Sequence, residues 1–161
     1  MIEIVAPGVE QTHAFAARLA QGLAQALAAG EVESVLIALN GPLGAGKTEL
    51  VRGFMAGLDP ARQRDVSSPT YAIVNVYEGT PEVRHMDLYR LETLEDLEGI
   101  GYRDCYLQPG IALVEWAEKV PEALPATRLD LDLEPMGPEV RRIRVTPCGD
   151  GLTGLLRTIC V

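Results

Sequence analysis

Cysteine, histidine, lysine and the aromatic residues are all scarce in this sequence. Its three cysteines, Cys105, Cys148 and Cys160, are odd in number, and no Cys-x-x-Cys pair occurs. That pattern argues against a disulfide framework and against a cysteine zinc site, and it is typical of a reducing compartment. His13 and His85 lie far from each other and from any cysteine in the sequence. We therefore expect them to be core or surface residues rather than metal ligands.

Long apolar runs and excess positive charge are also missing. No stretch is long enough to cross a bilayer, and residues 1–5 lack the basic segment of a signal peptide, so we expect a cytoplasmic protein without membrane attachment. The 23 acidic residues outnumber 14 Lys and Arg, giving a net charge of −9. Nucleic-acid-binding domains are usually basic because they must neutralise phosphates. We expect no direct grip on nucleic acid, so a role with RNA would need a basic partner.

The pattern of apolar residues predicts one α/β domain within the 161 residues. We predict helices over residues 13–29, 48–57, 94–100 and 152–159. We predict strands over residues 2–5, 35–39, 71–77, 83–87, 111–114, 129–133 and 142–145. The first strand is expected at a sheet edge, and the last two as antiparallel additions at one edge. Thr12 is expected to cap the first helix, Gly30 to end it, and residues 58–68 to form an irregular loop.

The scarcity of lysine draws attention to Lys47, one of two lysines beside twelve arginines. It stands in Gly41-Pro42-Leu43-Gly44-Ala45-Gly46-Lys47-Thr48, which satisfies the P-loop pattern G-x-x-x-x-G-K-[ST]. A buried-strand pattern precedes the motif and a helix pattern follows it. This context favours a phosphate-binding loop over a plain glycine-rich turn.

The residue types of this segment suit the triphosphate of ATP. Backbone N–H groups curled into a nest donate to phosphate oxygens, and glycines allow the positive φ angles that the curl needs. The following helix adds the positive end of its dipole. Lys47 is expected to reach the β- and γ-phosphates, and the Thr48 hydroxyl to coordinate Mg²⁺. The residues of this segment predicted to contact ATP are Gly41, Leu43, Gly44, Ala45, Gly46, Lys47, Thr48 and Glu49.

A P-loop site usually needs a carboxylate at the end of a neighbouring apolar strand. Glu115 follows the run 111–114, and Asp87 ends the run 83–87. Either residue could act on the Mg²⁺ side or orient the attacking water; the sequence favours Glu115 and keeps Asp87 as the rival. Trp116, the only tryptophan, either packs in the core or covers the phosphates.

Three other features have simpler structural explanations. Residues 96–99 match the D-x-x-G pattern of GTPases, but no guanine-reading Asn-Lys-x-Asp occurs, so we interpret them as structural. Residues 67–70, Ser-Ser-Pro-Thr, form either a plain turn or a segment that senses the γ-phosphate. Arg84, Arg90 and Arg103 are candidate charge stabilisers, with surface ion pairs as the simpler use.

Four separated motifs together resemble one family. In chain order they are Gly41–Thr48, Ser68-Pro69-Thr70-Tyr71, His85-Met86-Asp87-Leu88-Tyr89-Arg90-Leu91 and Val114-Glu115-Trp116. On these motifs the chain resembles the TsaE (YjeE) family, small bacterial P-loop ATPases required for making threonylcarbamoyladenosine on tRNA. The resemblance runs from about Thr12 to Trp116, and after about Pro125 it rests on length and edge-strand character.

The resemblance implies a fold, a cofactor and a partner. The fold would be the P-loop NTPase three-layer sandwich, α/β, whose mixed sheet carries antiparallel edge strands. The protein would bind ATP and Mg²⁺, hydrolyse ATP slowly, and dock on the TsaB–TsaD pair, which brings it to tRNA indirectly. Asp87 is similar to the family's essential acid, and Glu115 takes the Mg²⁺-side role. Thr70 matches the switch-like segment, Trp116 a tryptophan next to the site, and Thr12 a position associated with the nucleotide base.

Two positions depart from the family pattern. Pro42 stands where an acid is usual, at a free position of the loop, and Glu49 stands where a hydroxyl residue is common. Because Glu49 places a negative charge near the phosphates, we expect slightly altered nucleotide affinity. Two other function classes stay open: a small-molecule P-loop kinase, which usually needs an arginine-bearing lid, and a non-enzymatic nucleotide-dependent assembly factor.

Overall fold

The computed structural model describes residues 1–67 and 74–159. Its strands are β1 Ile2–Ala6, β2 Ser34–Asn40, β3 Val74–Tyr77, β4 Val83–Asp87, β5 Gly110–Glu115, β6 Arg128–Pro135 and β7 Arg141–Cys148. Its helices are α1 Val9–Ala28, α2 Lys47–Leu58, α3 Leu94–Gly99, α4 Tyr102–Leu107 and α5 Leu152–Ile159. Short 3₁₀ helices lie at Pro60–Asp65, Ala117–Lys119 and Pro121–Ala123. In the described ranges no helix is long and apolar enough to cross a membrane.

The strands form one mixed sheet in the order β1-β7-β6-β2-β5-β4-β3. The four central strands β6, β2, β5 and β4 are parallel, whereas β7, β1 and β3 each pair antiparallel with a neighbour. Strand β2 is buried from Val35 to Leu39, which explains its continuous apolar run. Because the carboxyl ends of parallel strands meet at one edge, the residues that follow β2, β5 and β4 lie together.

Helices cover both faces of this sheet, so the molecule has three layers. On one face α1, α2 and α5 enclose a core that includes Leu19, Phe54 and Leu156. On the other face α3 and α4 pack Leu97 and Tyr102 against the sheet. The alternating sequence of β6 follows from its burial on one face only. Leu129, Leu131 and Leu133 are buried in the first core, and the intervening residues are partly exposed on the other face. The predicted α/β sandwich is confirmed.

The start of the first helix was wrongly predicted. Helix α1 begins at Val9 after Gly8, one turn earlier than expected, and Thr12 lies buried inside it instead of capping it. The Thr12 hydroxyl donates to the Gly8 carbonyl oxygen at 3.4 Å. This first turn was hidden because Val9 is exposed, residues 10–12 are polar, and the inward position is filled by threonine rather than by an aliphatic side chain.

Other differences arise from signals that act over a few residues or from strand pairing. Residues 60–65 form a 3₁₀ helix instead of an irregular loop, because the Asp59 side chain accepts from the Ala61 amide at 3.0 Å and Pro60 suits a helix start. Helix α4 was not predicted. Strands β6 and β7 pair antiparallel as expected, and β1 forms the edge as predicted, but β6 lies inside the sheet beside β2. Residues 71–73 of the predicted third strand lie outside the described residues.

Candidate nucleotide-binding site

The P-loop turns the chain from β2 into α2 through backbone conformations that favour glycine. Gly41, Gly44 and Gly46 have φ angles of 139°, 79° and 100°. A Cβ on Gly41 would lie 2.4 Å from the Leu133 carbonyl oxygen on β6, so only glycine allows this close approach. Helix α2 starts at Lys47 without a side-chain cap from Gly46. Its first-turn N–H groups are therefore placed to bind an anion.

Lys47 is folded back over the loop, with 5% of its surface exposed. Its Nζ donates to the carbonyl oxygens of Gly41 and, at 3.1 Å, of Pro42. The same ammonium lies 3.7 Å from the centroid of the Trp116 ring. Burial lowers the pKa of Lys47, and the nearby carboxylates oppose this shift only in part. An anionic ligand at the loop would favour the charged ammonium, which is the electrostatic setting that a phosphate site requires.

Trp116 owes its position to an unusual backbone conformation directly after β5. Its φ of 59° lies in the left-handed region, and it is the one non-glycine residue with positive φ in the described part of the chain. Such a conformation costs on the order of 1–3 kcal/mol and is concentrated at functional sites. The Trp116 amide donates to the Leu39 carbonyl at 3.0 Å, and its ring lies 5.2 Å from that of Tyr89. The half-buried ring thus packs on the core and also covers Lys47.

Glu115 joins the P-loop to the neighbouring strand. The Thr48 hydroxyl donates to the two carboxylate oxygens of Glu115 at 3.0 and 3.3 Å. His85 Nε2 lies 2.7 Å from Glu115 Oε1, and the histidine is fully buried. His85 Nδ1 is buried and has no hydrogen-bond partner among the described residues, so we assign a hydrogen to Nε2, which donates to Glu115.

These oxygen donors fit Mg²⁺. A threonine hydroxyl and one carboxylate are the protein ligands expected when phosphates and water complete the coordination, and a hard cation prefers such oxygens. Among the described residues no three His, Cys, Asp or Glu side chains gather as a metal site. Thr48 and Glu115 are therefore the residues that would hold the ion together with a nucleotide.

Asp87 lies beside Glu115, because the two residues pair across β4 and β5. Its side chain is buried, and Oδ1 accepts from the Tyr89 amide at 2.8 Å. A cavity of about 390 Å³ is lined by Lys47, Thr48, Asp87, Glu115 and Trp116, among others. The structure thus brings both candidate acids to one cavity, each in a different setting: Glu115 bonds to Thr48, and Asp87 bonds to the backbone beyond it.

A second cavity, of about 510 Å³, lies on the other side of the P-loop and is lined in part by Thr12, Gly46 and Glu49. Glu49 Oε2 lies 3.0 Å from His13 Nε2, and its other oxygen pairs with Arg52. The negative charge of Glu49 is therefore partly offset on the α1 side of the loop. Leu43, at the tip of the loop, is exposed. Thr70 lies outside the described residues.

The structure also shows the use of several other candidates. Arg84 was expected on the surface, but it is buried, and its guanidinium donates to the carbonyl oxygens of Gln108 and Pro109. Arg103 forms an exposed ion pair with Glu98, as predicted. Asp96 is structural, as predicted, because it completes a capping box with Thr93 at the start of α3. Cys105 and Cys148 are free thiols.

Two residues at the site were missed from the sequence. His85 follows a strand pattern, and its contact with Glu115 depends on the register between β4 and β5. Arg141 begins β7, 96 residues from the P-loop, and its Nε donates to the Ala45 carbonyl oxygen at 2.9 Å. Neither contact could be predicted from the neighbouring sequence. Consecutive side chains of a strand point to opposite faces, so the adjacent Arg141 and Arg142 beside a turn would place one arginine on each face.

Known proteins share this arrangement of sequence and fold. A family model described as "Threonylcarbamoyl adenosine biosynthesis protein TsaE" matches residues 7–143, which include the P-loop, β4, β5 and Arg141. The tRNA threonylcarbamoyladenosine biosynthesis protein TsaE of Treponema pallidum is 37% identical over 113 residues, 70% of this chain and 82% of that protein. The protein of the same name from Bacillus subtilis is 38% identical over 116 residues, 71% of each chain.

A solved structure agrees with these matches. The crystal structure of Bacillus subtilis YdiB is similar with a TM-score of 0.76 and 28% sequence identity, covering 99% of this chain and 93% of that one. The family match spans the whole nucleotide-site end of the sheet, and the fold match extends over the C-terminal elements as well. The chain therefore belongs to the TsaE family.

Proposed function

We propose that this chain binds ATP with Mg²⁺, hydrolyses it slowly, and acts as an ATP-dependent switch in the formation of threonylcarbamoyladenosine on tRNA. One observation carries the proposal. The buried Lys47 and the Thr48–Glu115 pair converge on the P-loop at the carboxyl ends of β2 and β5. Membership of the TsaE family supports the role in tRNA modification, and the geometry of the site supports the binding and hydrolysis of ATP.

Lys47 and the P-loop amides would bind the phosphates. In this structure the Lys47 ammonium is satisfied by two carbonyl oxygens of the loop itself. Phosphate oxygens are stronger acceptors than carbonyls because they carry formal charge. Binding therefore exchanges internal contacts for charge-assisted ones and moves the ammonium away from the Trp116 ring.

Glu115 and Asp87 would have different roles in ATP hydrolysis. Bound Mg²⁺ would neutralise charge that develops on the phosphates. The Thr48 hydroxyl and the Glu115 carboxylate would be its oxygen ligands from the protein, and His85 holds the orientation of that carboxylate. Asp87, on the adjoining strand, lines the same cavity, and its carboxylate would orient the attacking water and take its proton.

The cavity beside Thr12 would hold the nucleoside. It shares Gly46, Glu49 and Arg141 with the phosphate-side cavity, so one extended ligand can occupy both. Its volume of about 510 Å³ lies within the usual range for ligand pockets, roughly 300–1,000 Å³. This placement agrees with Thr12 as the residue near the base.

The proposed partner is the TsaB–TsaD pair, and tRNA would be reached only through that complex. The net charge of −9 supports a protein partner over a direct grip on RNA. The exposed Leu43 and Tyr89 beside the phosphate-side cavity offer apolar contacts that could depend on nucleotide state.

Reconstitution tests the proposal. Threonylcarbamoyladenosine formation by TsaB–TsaD would be measured over many turnovers with Mg²⁺-ATP, with and without this chain. We expect sustained modification with the wild-type chain and with Lys119→Ala, the variant of the other lysine, and none with Lys47→Ala. Modification that is independent of the chain would overturn the proposal. ATP consumption that rises only with one added metabolite would instead favour a small-molecule kinase.

A further inference from the structure

We propose that Arg141 is a positioning residue for the P-loop, whose guanidinium holds the carbonyls of Gly44 and Ala45 so that the amides that follow them, those of Ala45 and Gly46, face the phosphates. The inference rests on the proposed function, because it concerns how the same site binds a triphosphate. Nothing in the P-loop motif requires an arginine from β7, so the contact is a property of this fold rather than of the motif.

The contacts of Arg141 form a fork between two segments. Nε donates to the Ala45 carbonyl oxygen at 2.9 Å, and NH2 to the Gly44 carbonyl oxygen at 3.3 Å. NH1 donates to the carbonyl oxygens of Gly137, Pro138 and Val140 at 3.1, 3.3 and 3.1 Å. A planar guanidinium can satisfy both sides at once because its five donors have fixed directions. The P-loop is thus tied to the turn between β6 and β7.

The direction of a carbonyl fixes the direction of the next amide. In a trans peptide the C=O and the following N–H point to opposite sides of the chain. Holding the Gly44 and Ala45 carbonyls on the Arg141 side therefore turns the amides of Ala45 and Gly46 away from it, toward the concave side of the loop. The Ala45 amide does point inward, since it donates to the Pro42 carbonyl at 3.0 Å across the loop. A loop held in this way loses less conformational freedom when phosphates bind.

The charge of Arg141 is also unlike that of its neighbours. Arg144 pairs with Glu3 and Glu134, and so does Arg142. Arg141 donates to carbonyl oxygens, and no carboxylate in residues 1–67 or 74–159 lies within ion-pair distance of it. It lines both cavities, and its Nε would be 3.8 Å from a Cβ on Gly46. Its positive charge therefore remains available to an anion at the loop.

The test compares four forms of the full chain: wild type, Arg141→Gln, Arg141→Lys and Arg144→Gln. Affinities for Mg²⁺-ATP and for inorganic tripolyphosphate with Mg²⁺ would be measured by calorimetry or by competition with a fluorescent ATP analogue. We expect Arg141→Gln to weaken both ligands on the order of tenfold, the effect of losing one charge-assisted interaction. Arg141→Lys should stay within about threefold of Arg141→Gln, because lysine keeps the charge but not the fork. Arg144→Gln should match wild type.

Four outcomes would overturn the inference. Unchanged affinity in Arg141→Gln would show that the loop needs no support from β7. Full rescue by lysine would show that charge alone suffices. A loss for ATP without a loss for tripolyphosphate would make Arg141 a wall of the nucleoside cavity, and an equal loss in Arg144→Gln would indicate a general charge effect. Thermal unfolding of each ligand-free variant controls for folding, and failure of the wild type to bind Mg²⁺-ATP would contradict the proposed function instead.

Discussion

The nucleotide-site end of the sheet and the β1–β7–β6 edge use similar charged residues in opposite ways. At the nucleotide site Lys47, His85, Asp87 and Glu115 are each at most 6% exposed. At the edge the side chains of Glu3, Glu134, Arg142 and Arg144 are 27–48% exposed. Polar distances are similar in the two regions, near 3 Å. The distance between two charged groups therefore does not show how strongly their contact affects stability, whereas the burial of the two groups does.

Burial raises the consequence of removing any one partner. A buried carboxylate that loses its donor keeps its desolvation penalty, whereas an exposed one is solvated by water. The buried groups are also the ones that face the cavities. The same residues should then dominate both function and stability at one end of the molecule and contribute little at the other.

The largest expected effect is on turnover, at the two acids. Glu115→Gln and Asp87→Asn keep the shape of each side chain and remove its charge. We expect each to slow steady-state ATP hydrolysis on the order of a hundredfold or more, while Mg²⁺-free ATP still binds. Glu115→Gln should also raise the Mg²⁺ concentration that hydrolysis needs, and Asp87→Asn should not, because Glu115 is the acid bonded to Thr48. The reverse pattern would exchange their roles.

The next effect is on stability, at His85. His85→Ala removes the donor to Glu115 and opens a cavity in the core, so we expect the free energy of unfolding to fall by roughly 2–4 kcal/mol. His85→Gln, which can still donate to the carboxylate, should recover part of the loss. Urea unfolding followed by circular dichroism measures both variants. A loss below about 0.5 kcal/mol in His85→Ala would contradict the weight given to this buried contact.

Lys47 gives the third effect, in binding. Lys47→Ala should weaken Mg²⁺-ATP at least about tenfold, since charge-assisted contacts contribute roughly 1.5–3 kcal/mol each. The only tryptophan offers a direct readout, because the Lys47 ammonium lies 3.7 Å from the Trp116 ring centroid. We expect ATP to change tryptophan fluorescence in the wild type and in Lys119→Ala. An unchanged calorimetric affinity in Lys47→Ala would contradict the assignment of the P-loop lysine.

The sequence predicted the parts of the site that are consecutive or follow from strand order. Gly41–Thr48 is local, and the meeting of Glu115 with Thr48 follows because parallel strands end at one edge. His85 and Glu115 lie diagonally opposite each other on β4 and β5. The pattern of a single sequence does not fix the register between two strands, so it does not predict this contact. Arg141 depends on the conformation of residues 137–141, where a turn returns the chain to the P-loop. The edge position of β1 was predicted, but the position of β6 inside the sheet beside β2 was missed, because strand pairing is non-local.

The smallest effect should occur at the exposed edge. Arg144 Nε lies 3.1 Å from Glu3 and its NH2 lies 3.3 Å from Glu134. Because these side chains are hydrated, we expect Arg144→Gln to lower the free energy of unfolding by only about 0.2–1 kcal/mol. The difference in unfolding free energy between the wild type and the variant should shrink in 1 M salt, where the Debye length falls to roughly 3 Å. Urea unfolding of the wild type and the variant at low and high salt measures this. A loss above about 2 kcal/mol that persists in salt would mean that the edge pairs act like the buried ones, and the contrast between the two regions would not hold.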